Sequence, residues 1–243
     1  MTRPKVLLAG LVPLLVLLAG PALAQQVTLD MGDGGSLATR SVQLLVLVTV
    51  LSIVPGLAVM VTCFPFIVTV LSILRQGLGL QQAPPNMLIV SLAMFLTWFV
   101  MEPVLTQAWQ QGVEPFTQEE IDLTTAFART SEPFRGFMAN RIDPETFDTL
   151  DALRPREETG VEEAPLSLLV PSFLLSELKR AFEIGFLIFL PFLIIDLVVS
   201  AILMSMGMMM VPPAVVSLPF KLAFFVVADG WSLIAGALVR SYM

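Results

Sequence analysis

The sequence predicts an all-α, membrane-associated protein made of kinked helical hairpins, with about four long apolar helices and a small extracytoplasmic helical segment. Hydrophobic residues make up 56% of the chain and charged residues 14%, whereas charged residues make up roughly one quarter of a soluble domain. The mean hydropathy is +0.85. Several apolar runs, interrupted by prolines, are long enough to cross a hydrocarbon core of about 30 Å, which requires about 20 helical residues.

Charge and cysteine content exclude several classes of function. The net charge is −7, and the stretch from Glu114 to Glu163 holds thirteen acidic side chains against five arginines. A nucleic acid partner would require a basic surface, so we expect none. The chain has one cysteine, Cys63, and no histidine. Disulfides within one chain and thiolate or imidazole metal clusters are therefore excluded, and we expect no cofactor.

The N-terminal residues have the pattern of a secretory signal peptide. A short basic segment precedes the apolar run from Val6 to Leu18, and Ala22 to Ala24 matches a small-residue cleavage site. We predict a signal peptide at 1–24, cleaved after Ala24; the alternative is an uncleaved first helix. Residues 25–41 are polar and rich in glycine, which predicts a flexible leader.

The first predicted hairpin covers residues 42–105. The sequence is apolar from Val42 to Leu74, but Pro55 and Pro65 interrupt it. Because proline removes an intrahelical hydrogen bond, we expect a bent helix or two stacked pieces rather than one straight span. A turn rich in glycine and proline follows, and the run from Met87 to Leu105 is again long enough to span.

Residues 106–170 form the predicted acidic, extracytoplasmic segment. Thr117 with Glu120 three positions later has the spacing of a capping box, which predicts a helix from about Thr117 to Thr130. Residues 154–163 are charged and contain proline and glycine, which predicts a mobile loop. Since Lys and Arg favour short cytoplasmic loops, the acidity of this segment places it outside the cytoplasm.

The second predicted hairpin covers residues 171–243. Charged residues occupy its predicted first turns, and the run from Ile184 to Val211 is long enough to span a bilayer. Pro212 and Pro213 then interrupt the run, which predicts a turn between two apolar helices.

Two carboxylates lie within or beside these apolar runs. Asp196 is either a proton or ion site, or a hydrogen-bonded or ion-paired carboxylate that fixes helix packing. The same two interpretations apply to Asp229. Lys221 lies eight residues before Asp229, so the two side chains could share one helix face without touching. Ion pairs of these residues could form within one chain or between chains.

A cluster of four charges, Glu177, Lys179, Arg180 and Glu183, precedes the apolar run. Glu177 with Arg180 and Lys179 with Glu183 have the i,i+3 and i,i+4 spacings that stabilise a helix end by a few tenths of a kcal/mol. The cluster is either a solvated helix start or part of a subunit interface.

Methionines are concentrated just before the proline pair. Five of the seven residues from Met204 to Met210 are methionine, and the last three are consecutive. One buried helix face cannot contain three consecutive residues, whereas a loop or helix end could project them into a shared space. They form either a deformable seal, since thioether side chains adapt to irregular gaps, or ordinary lipid or core packing. No nucleophile with a base and no phosphate-binding glycine loop is present, so we do not expect an enzyme.

Two long stretches resemble a known family. The second hairpin contains SELKRAFEIGFLIFLPFLIIDLVVSAILMSMGMMMVPP followed by SLPFKLAFFVVADGW, and the first contains VLSILRQGLGLQQAPPN followed by FLTWFVMEPVL. Over residues 42–105 and 171–240 the chain resembles the FliP family of flagellar biosynthesis proteins, which is shared with the corresponding injectisome component.

The resemblance implies a core, pore-forming subunit of the flagellar type III protein export gate. Such a subunit is multi-pass, lies in the bacterial inner membrane within the flagellar basal body, and passes unfolded flagellar proteins. The family forms a homo-oligomer of five chains with two other small membrane subunits of the FliQ and FliR type. Its methionine gasket corresponds to Met208, Met209 and Met210, which favours the seal.

The resemblance also implies that charged contacts between subunits fall among Glu177, Lys179, Arg180 and Glu183. Asp196, Lys221 and Asp229 are candidates for subunit-interface or helix-packing charges because of their positions in or beside the apolar runs. Two alternatives remain: a proton-coupled secondary transporter that uses Asp196 and Asp229 as a relay, and the equivalent subunit of a virulence injectisome. The predicted signal peptide and the SLPFK stretch favour the flagellar branch.

Overall fold

The computed structural model describes residues 37–80, 84–153, 160–208 and 210–243. The predicted signal peptide at 1–24, its cleavage site and residues 25–36 of the predicted leader lie outside the described residues. Contacts between residues divide the chain into two units, 1–48 and 49–243. The described part of the first unit, residues 37–48, is helical throughout. The second unit contains all the packed structure considered below.

Helix α1 is longer than the sequence predicted. It runs over Leu37–Met60 and so begins five residues before the predicted start of the first hairpin, inside the predicted leader. Pro55 lies within α1 without ending it. Helix α2, Phe64–Gly77, begins after a short break and has Pro65 in its first turn, where the missing N–H costs no hydrogen bond. The apolar run therefore forms two helices, one of the two predicted alternatives.

Helix α2 supplies much of the core of the second unit. One of its faces is fully buried, with Phe66, Ile67 and Leu71 among the residues with no exposed surface. Its packing against the long helix α7, Leu166–Ser205, depends on glycine. A Cβ atom at Gly185 would lie 2.4 Å from Cδ1 of Ile73. The two helices can approach this closely only because α7 has no side chain at that position.

Helix α3, Asn86–Ala108, continues through a π-helix, Trp109–Val113, into the short helix α4, Glu114–Thr117. The helix predicted from about Thr117 to Thr130 exists but begins and ends later, and its predicted capping box at Thr117 is wrong. Thr117 ends α4, and Glu119 follows in a turn with φ of 60°. Helix α5, Leu123–Ala139, begins instead at Asp122, whose carboxylate accepts a hydrogen bond from the amide of Thr124. An aspartate N-cap satisfies an amide that the helix leaves unbonded.

The predicted acidic segment, residues 106–170, is called the central segment below. Helix α6, Pro144–Asp151, is the last described helix that lies wholly within it. Asp143 caps it by accepting a hydrogen bond from the amide of Thr146. Phe147 is buried in a second apolar cluster with Met138 and Phe173, so α6 packs on α7. Most of the predicted mobile loop, residues 154–159, lies outside the described residues.

Helix α7 has 40 residues, which corresponds to a length of about 60 Å. It begins at Leu166, five residues before the predicted second hairpin. Glu177 is consequently the twelfth residue of the helix, and the interpretation of the charge cluster as a solvated helix start is wrong. The helix ends at Ser205, six residues before the predicted Val211.

The predicted turn at Pro212 and Pro213 is confirmed. Helix α8, Pro213–Val227, starts on the second proline and packs back against α7. Helix α9, Gly230–Arg240, follows after a break at which the axis bends by 60°.

Among the described residues, three helical segments are long and apolar enough to cross a membrane: Arg40–Met60, Asn86–Thr117 and Leu166–Ser205. The bent pair α8 and α9 could form a fourth, broken span. The described residues contain helices and no strand. The fold class, an all-α membrane-associated protein with three to four long apolar helices, is confirmed.

Candidate functional site

The candidate methionine gasket lies in the turn between α7 and α8. Gly207 has φ of 74°, a conformation that side chains disfavour. The amide of Met208 donates to the carbonyl of Leu203 at 2.9 Å, and that of Gly207 to Met204 at 3.0 Å. These two bonds form a Schellman motif, which stops a helix and turns the chain. Met208 and Met210 therefore occupy a turn, as one prediction required.

The described methionines of this turn project outward. Met210 is 96% exposed and Met208 41% exposed, while Met209 lies outside the described residues. The preceding Met204 and Met206 are also exposed. Packing within the described chain therefore leaves the thioethers of Met208 and Met210 accessible to other molecules.

Asp196 and Lys221 form a short ion pair between α7 and α8. The Lys221 ammonium lies 2.6 Å from Oδ2 of Asp196 and donates to the carbonyl oxygen of Gly77 at 3.0 Å. Ser217 Oγ donates to Oδ1 of Asp196 at 2.6 Å. Lys221 and Ser217 are buried, so the pair joins α7 and α8 to the end of α2. This geometry agrees with the packing interpretation of Asp196, and the pair forms within one chain.

Asp229 is separate from this ion pair. It lies at the break between α8 and α9 with φ of 48°, and its carboxylate accepts a hydrogen bond from Ser232 Oγ at 3.0 Å. The next residue must be glycine, since a Cβ at Gly230 would lie 2.2 Å from the ring of Phe225. Asp229 is exposed and shapes the bend, and Lys221 is paired with Asp196 instead.

The four clustered charges of α7 have different environments. The Glu177 side chain is only 1% exposed, and its Oε1 accepts a hydrogen bond from Arg141 Nε at 2.9 Å. Tyr242 donates its hydroxyl to Oε2 of Glu177. Arg180 lies 4.0 Å from Glu177, and Glu183 is exposed. Sequence reasoning missed Arg141 and Tyr242.

Lys179 links α7 to the start of α6. Its ammonium lies 3.0 Å from Oδ2 of Asp143 and 3.6 Å from Glu145. The hydrogen bond from the Thr146 side chain, followed by that from Lys179, holds the pKa of Asp143 below its usual value. Lys179 thus binds the central segment rather than Glu183, its predicted partner.

Cys63 is fully buried in the break between α1 and α2. Burial raises the pKa of its thiol to about 12. A thiol that stays protonated is a poor nucleophile and metal ligand, so Cys63 packs as a small apolar side chain. Among the described residues, no group of three or more Cys, Asp or Glu side chains is arranged to hold a metal ion.

Comparison with known proteins places these features in one family. The model of the FliP family matches residues 47–238. The Flagellar biosynthetic protein FliP of Caulobacter vibrioides is 49% identical over 224 residues, which cover 91% of this chain and 84% of the relative. The protein of the same name from Rhizobium meliloti is 50% identical over 212 residues, covering 86% of each chain. That from Aquifex aeolicus is 41% identical over 232 residues, covering 94% of this chain and 97% of the relative. Similarity over nearly the whole described structure shows that the chain belongs to the FliP family.

Proposed function

We propose that this chain is the core, pore-forming subunit of a flagellar type III protein export gate, through which unfolded flagellar proteins cross the inner membrane. Family membership and the names of its relatives support a role in the flagellar export apparatus. The observation that carries the pore role is the methionine turn, in which the packed helices leave Met208 and Met210 exposed.

The proposed seal follows from the chemistry of these side chains. Methionine is unbranched, has three rotatable bonds and carries a polarisable sulfur, so it fills gaps of irregular shape. Several copies of Met208 to Met210 around one axis would close a narrow channel to ions. They would also re-pack around an extended polypeptide of variable sequence.

A ring of copies is also consistent with the outer surface of the helices. Large apolar side chains of α7, including Phe182, Phe186 and Leu187, are more than half exposed in the single chain. Exposed apolar area of this extent requires lipid or protein to cover it. We propose that five copies pack together with subunits of the FliQ and FliR type, and that some of these side chains lie at the interfaces.

The transporter alternative has less structural support. The Asp196 carboxylate pairs with the Lys221 ammonium at 2.6 Å and accepts a hydrogen bond from Ser217, which gives it a role in helix packing. Asp229 lies at a helix break with a hydrogen bond to Ser232. Native mass of the purified complex separates the two functions. A ring-sized homo-oligomer supports the gate, and an active monomer with ion coupling contradicts it.

The seal is tested by replacing Met208, Met209 and Met210 together with alanine in cells that carry no other copy. We expect ion leakage across the inner membrane, measured as loss of membrane potential, while the complex still assembles. The matched control is Met87→Ala, because Met87 is 81% exposed but lies outside the turn. Normal assembly with unchanged ion permeability in the triple variant would show that the methionines do not form a seal.

A further inference from the structure

The segment after α9 returns to the centre of the second unit. Ser241 ends the helix, and its carbonyl accepts a hydrogen bond from Arg141 Nη1 at 2.8 Å. Arg141 lies in the linker between α5 and α6, 100 residues earlier in the chain. Tyr242 then reaches Glu177 in the first third of α7. Two consecutive residues therefore contact both the central segment and the longest helix.

The ring of Tyr242 lies in a socket built from three elements. Phe66 of α2 meets it edge-on, with ring centroids 5.5 Å apart. Phe137 of α5 stacks against it at 6.0 Å, and the guanidinium carbon of Arg141 lies 4.0 Å from the ring centroid. Aromatic pairs and cation–π contacts of these geometries are both favourable.

The Tyr242 hydroxyl completes the hydrogen bonding of a buried charge. Glu177 has almost no exposed surface, and a buried carboxylate is stable only when both oxygens have donors. Arg141 supplies the donor for Oε1 and Tyr242 that for Oε2. Burial, followed by the carboxylate itself, raises the pKa of Tyr242. The phenol therefore stays a donor throughout the physiological pH range.

We infer that Ser241 and Tyr242 form a latch, which holds the Arg141 linker and α6 against α7. Arg141 binds Glu177 and the latch at once, so losing the latch weakens the contact between the linker and α7. The remaining ties are the Lys179–Asp143 pair, whose side chains are 45% and 29% exposed, the hydrogen bond from the Asp143 amide to Ser176 Oγ at 2.9 Å, and the buried cluster that contains Phe147 and Phe173. Ion pairs with this much exposure contribute little. Loss of the latch therefore loosens the linker and the start of α6 on α7, while the apolar contact of Phe147 remains.

The opening is local because the other buried ion pair does not depend on the latch. Asp196 lies 19 residues after Glu177, about 29 Å further along α7. Its partners are Lys221 and Ser217 on α8, and none of these residues contacts the latch through a hydrogen bond described above. The packing of α2, α7 and α8 around Asp196 should therefore persist when the latch is lost.

Hydrogen exchange on the purified, full-length protein tests the latch. Tyr242→Phe keeps the ring in its socket and removes only the hydroxyl. We expect amides of residues 144–151 to exchange about tenfold faster, since a buried acceptor loses its donor. Amides of residues 213–227 should be unchanged. Ser241→Ala is the matched control, because Ser241 contributes its backbone carbonyl to the latch, and it should exchange as the unaltered protein does.

Two results would overturn the inference. Unchanged exchange at residues 144–151 in Tyr242→Phe would mean that the tail does not hold α6. Faster exchange of equal size at residues 144–151 and 213–227 would mean that Tyr242 supports the whole fold. Arg141→Met gives a second measurement, because it removes both the Glu177 contact and the Ser241 contact. It should increase the same local exchange by more than Tyr242→Phe does.

Discussion

Oδ2 of Asp196 lies 2.6 Å from Nζ of Lys221, and the same Lys221 ammonium donates a hydrogen bond to the carbonyl of Gly77. One side chain thus satisfies a carboxylate on α7 and a terminal carbonyl of α2. Helix ends leave their last carbonyls unbonded, and a lysine is well suited to them. A carboxylate within an apolar run is explained here by helix packing.

Removing Lys221 alone should lower the free energy of unfolding much more than removing Lys221 and Asp196 together. Lys221→Met leaves Asp196 without its cation, and we expect about 3 kcal/mol of lost stability, at the low end for a buried pair because Asp196 is 33% exposed. Lys221→Met with Asp196→Leu should recover most of this loss. Thermal unfolding in detergent measures both variants. A double variant as unstable as the single one would show that the ammonium acts mainly through Gly77.

The close contact between α2 and α7 should tolerate no side chain at Gly185. Gly185→Ala places a Cβ 2.4 Å from Cδ1 of Ile73, and we expect a loss of about 1–3 kcal/mol, typical of overpacking. Adding Ile73→Val removes that methyl group and should restore part of the loss. Gly136→Ala is the control, since no atom lies within 4 Å of its Cβ position. Equal unfolding temperatures for Gly185→Ala and Gly136→Ala would contradict the close packing.

Cys63 should react slowly with a maleimide until the protein unfolds. The thiol is fully buried, and its pKa of about 12 leaves little thiolate near neutral pH. Because the folded state holds this proton more tightly, the related stability is present below the ordinary pKa of 9.0 and is lost as pH rises to about 12. Cys63→Ala should remove this alkaline loss. Rapid labelling of the folded protein at pH 7 would show that the break between α1 and α2 opens readily.

Acid should loosen α6 through Asp143. Its folded-state pKa is lowered by Thr146 and then by Lys179, so its contribution is present above the ordinary value of 3.8 and is lost as pH falls through the folded value. The protection of the α6 amides, measured as their exchange rate relative to the intrinsic rate at the same pH, should therefore fall as the pH is lowered below 3.8. Asp143→Asn should abolish this acid-dependent loss of protection, whereas Asp148→Asn, a change at an exposed residue of α6, should retain it.

The length and spacing of the apolar runs predicted the fold class, whereas short motifs predicted the ends of helices less accurately. Composition and proline spacing predicted the hairpins and the turn at Pro212 and Pro213. At the start of α5, both Thr117 and Asp122 have N-cap chemistry. Sequence alone does not reveal the intervening turn at Glu119, which makes Asp122 the cap. The sequence predicted the cluster around Glu177 at the start of a helix. The prediction was wrong because the apolar residues from Leu166 onward already form the first turns of α7.

The partners of Glu177 could not be predicted because they are distant in sequence. Arg141 is 36 residues before it and Tyr242 is 65 residues after it. Periodicity describes one helix at a time, and it assigned Glu177 to Arg180 at i,i+3. The available signals were weak: Arg141 is one of few cations in an acidic segment, and Tyr242 is the only tyrosine.

Helix α7 is too long to lie wholly within the hydrocarbon layer of a membrane. A hydrocarbon layer of about 30 Å can enclose only half of a helix that spans 40 residues. The stretch from Ile184 to Ser205, in which Asp196 is the single ionisable residue, fits that layer with its charge neutralised by Lys221. The other half, with Glu177, Lys179 and Arg180, must be stabilised by water, headgroups or protein. One continuous helix therefore connects two solvents, and Pro191, which removes an intrahelical hydrogen bond early in the apolar half, is a point at which the helix can bend near the place where the two halves meet.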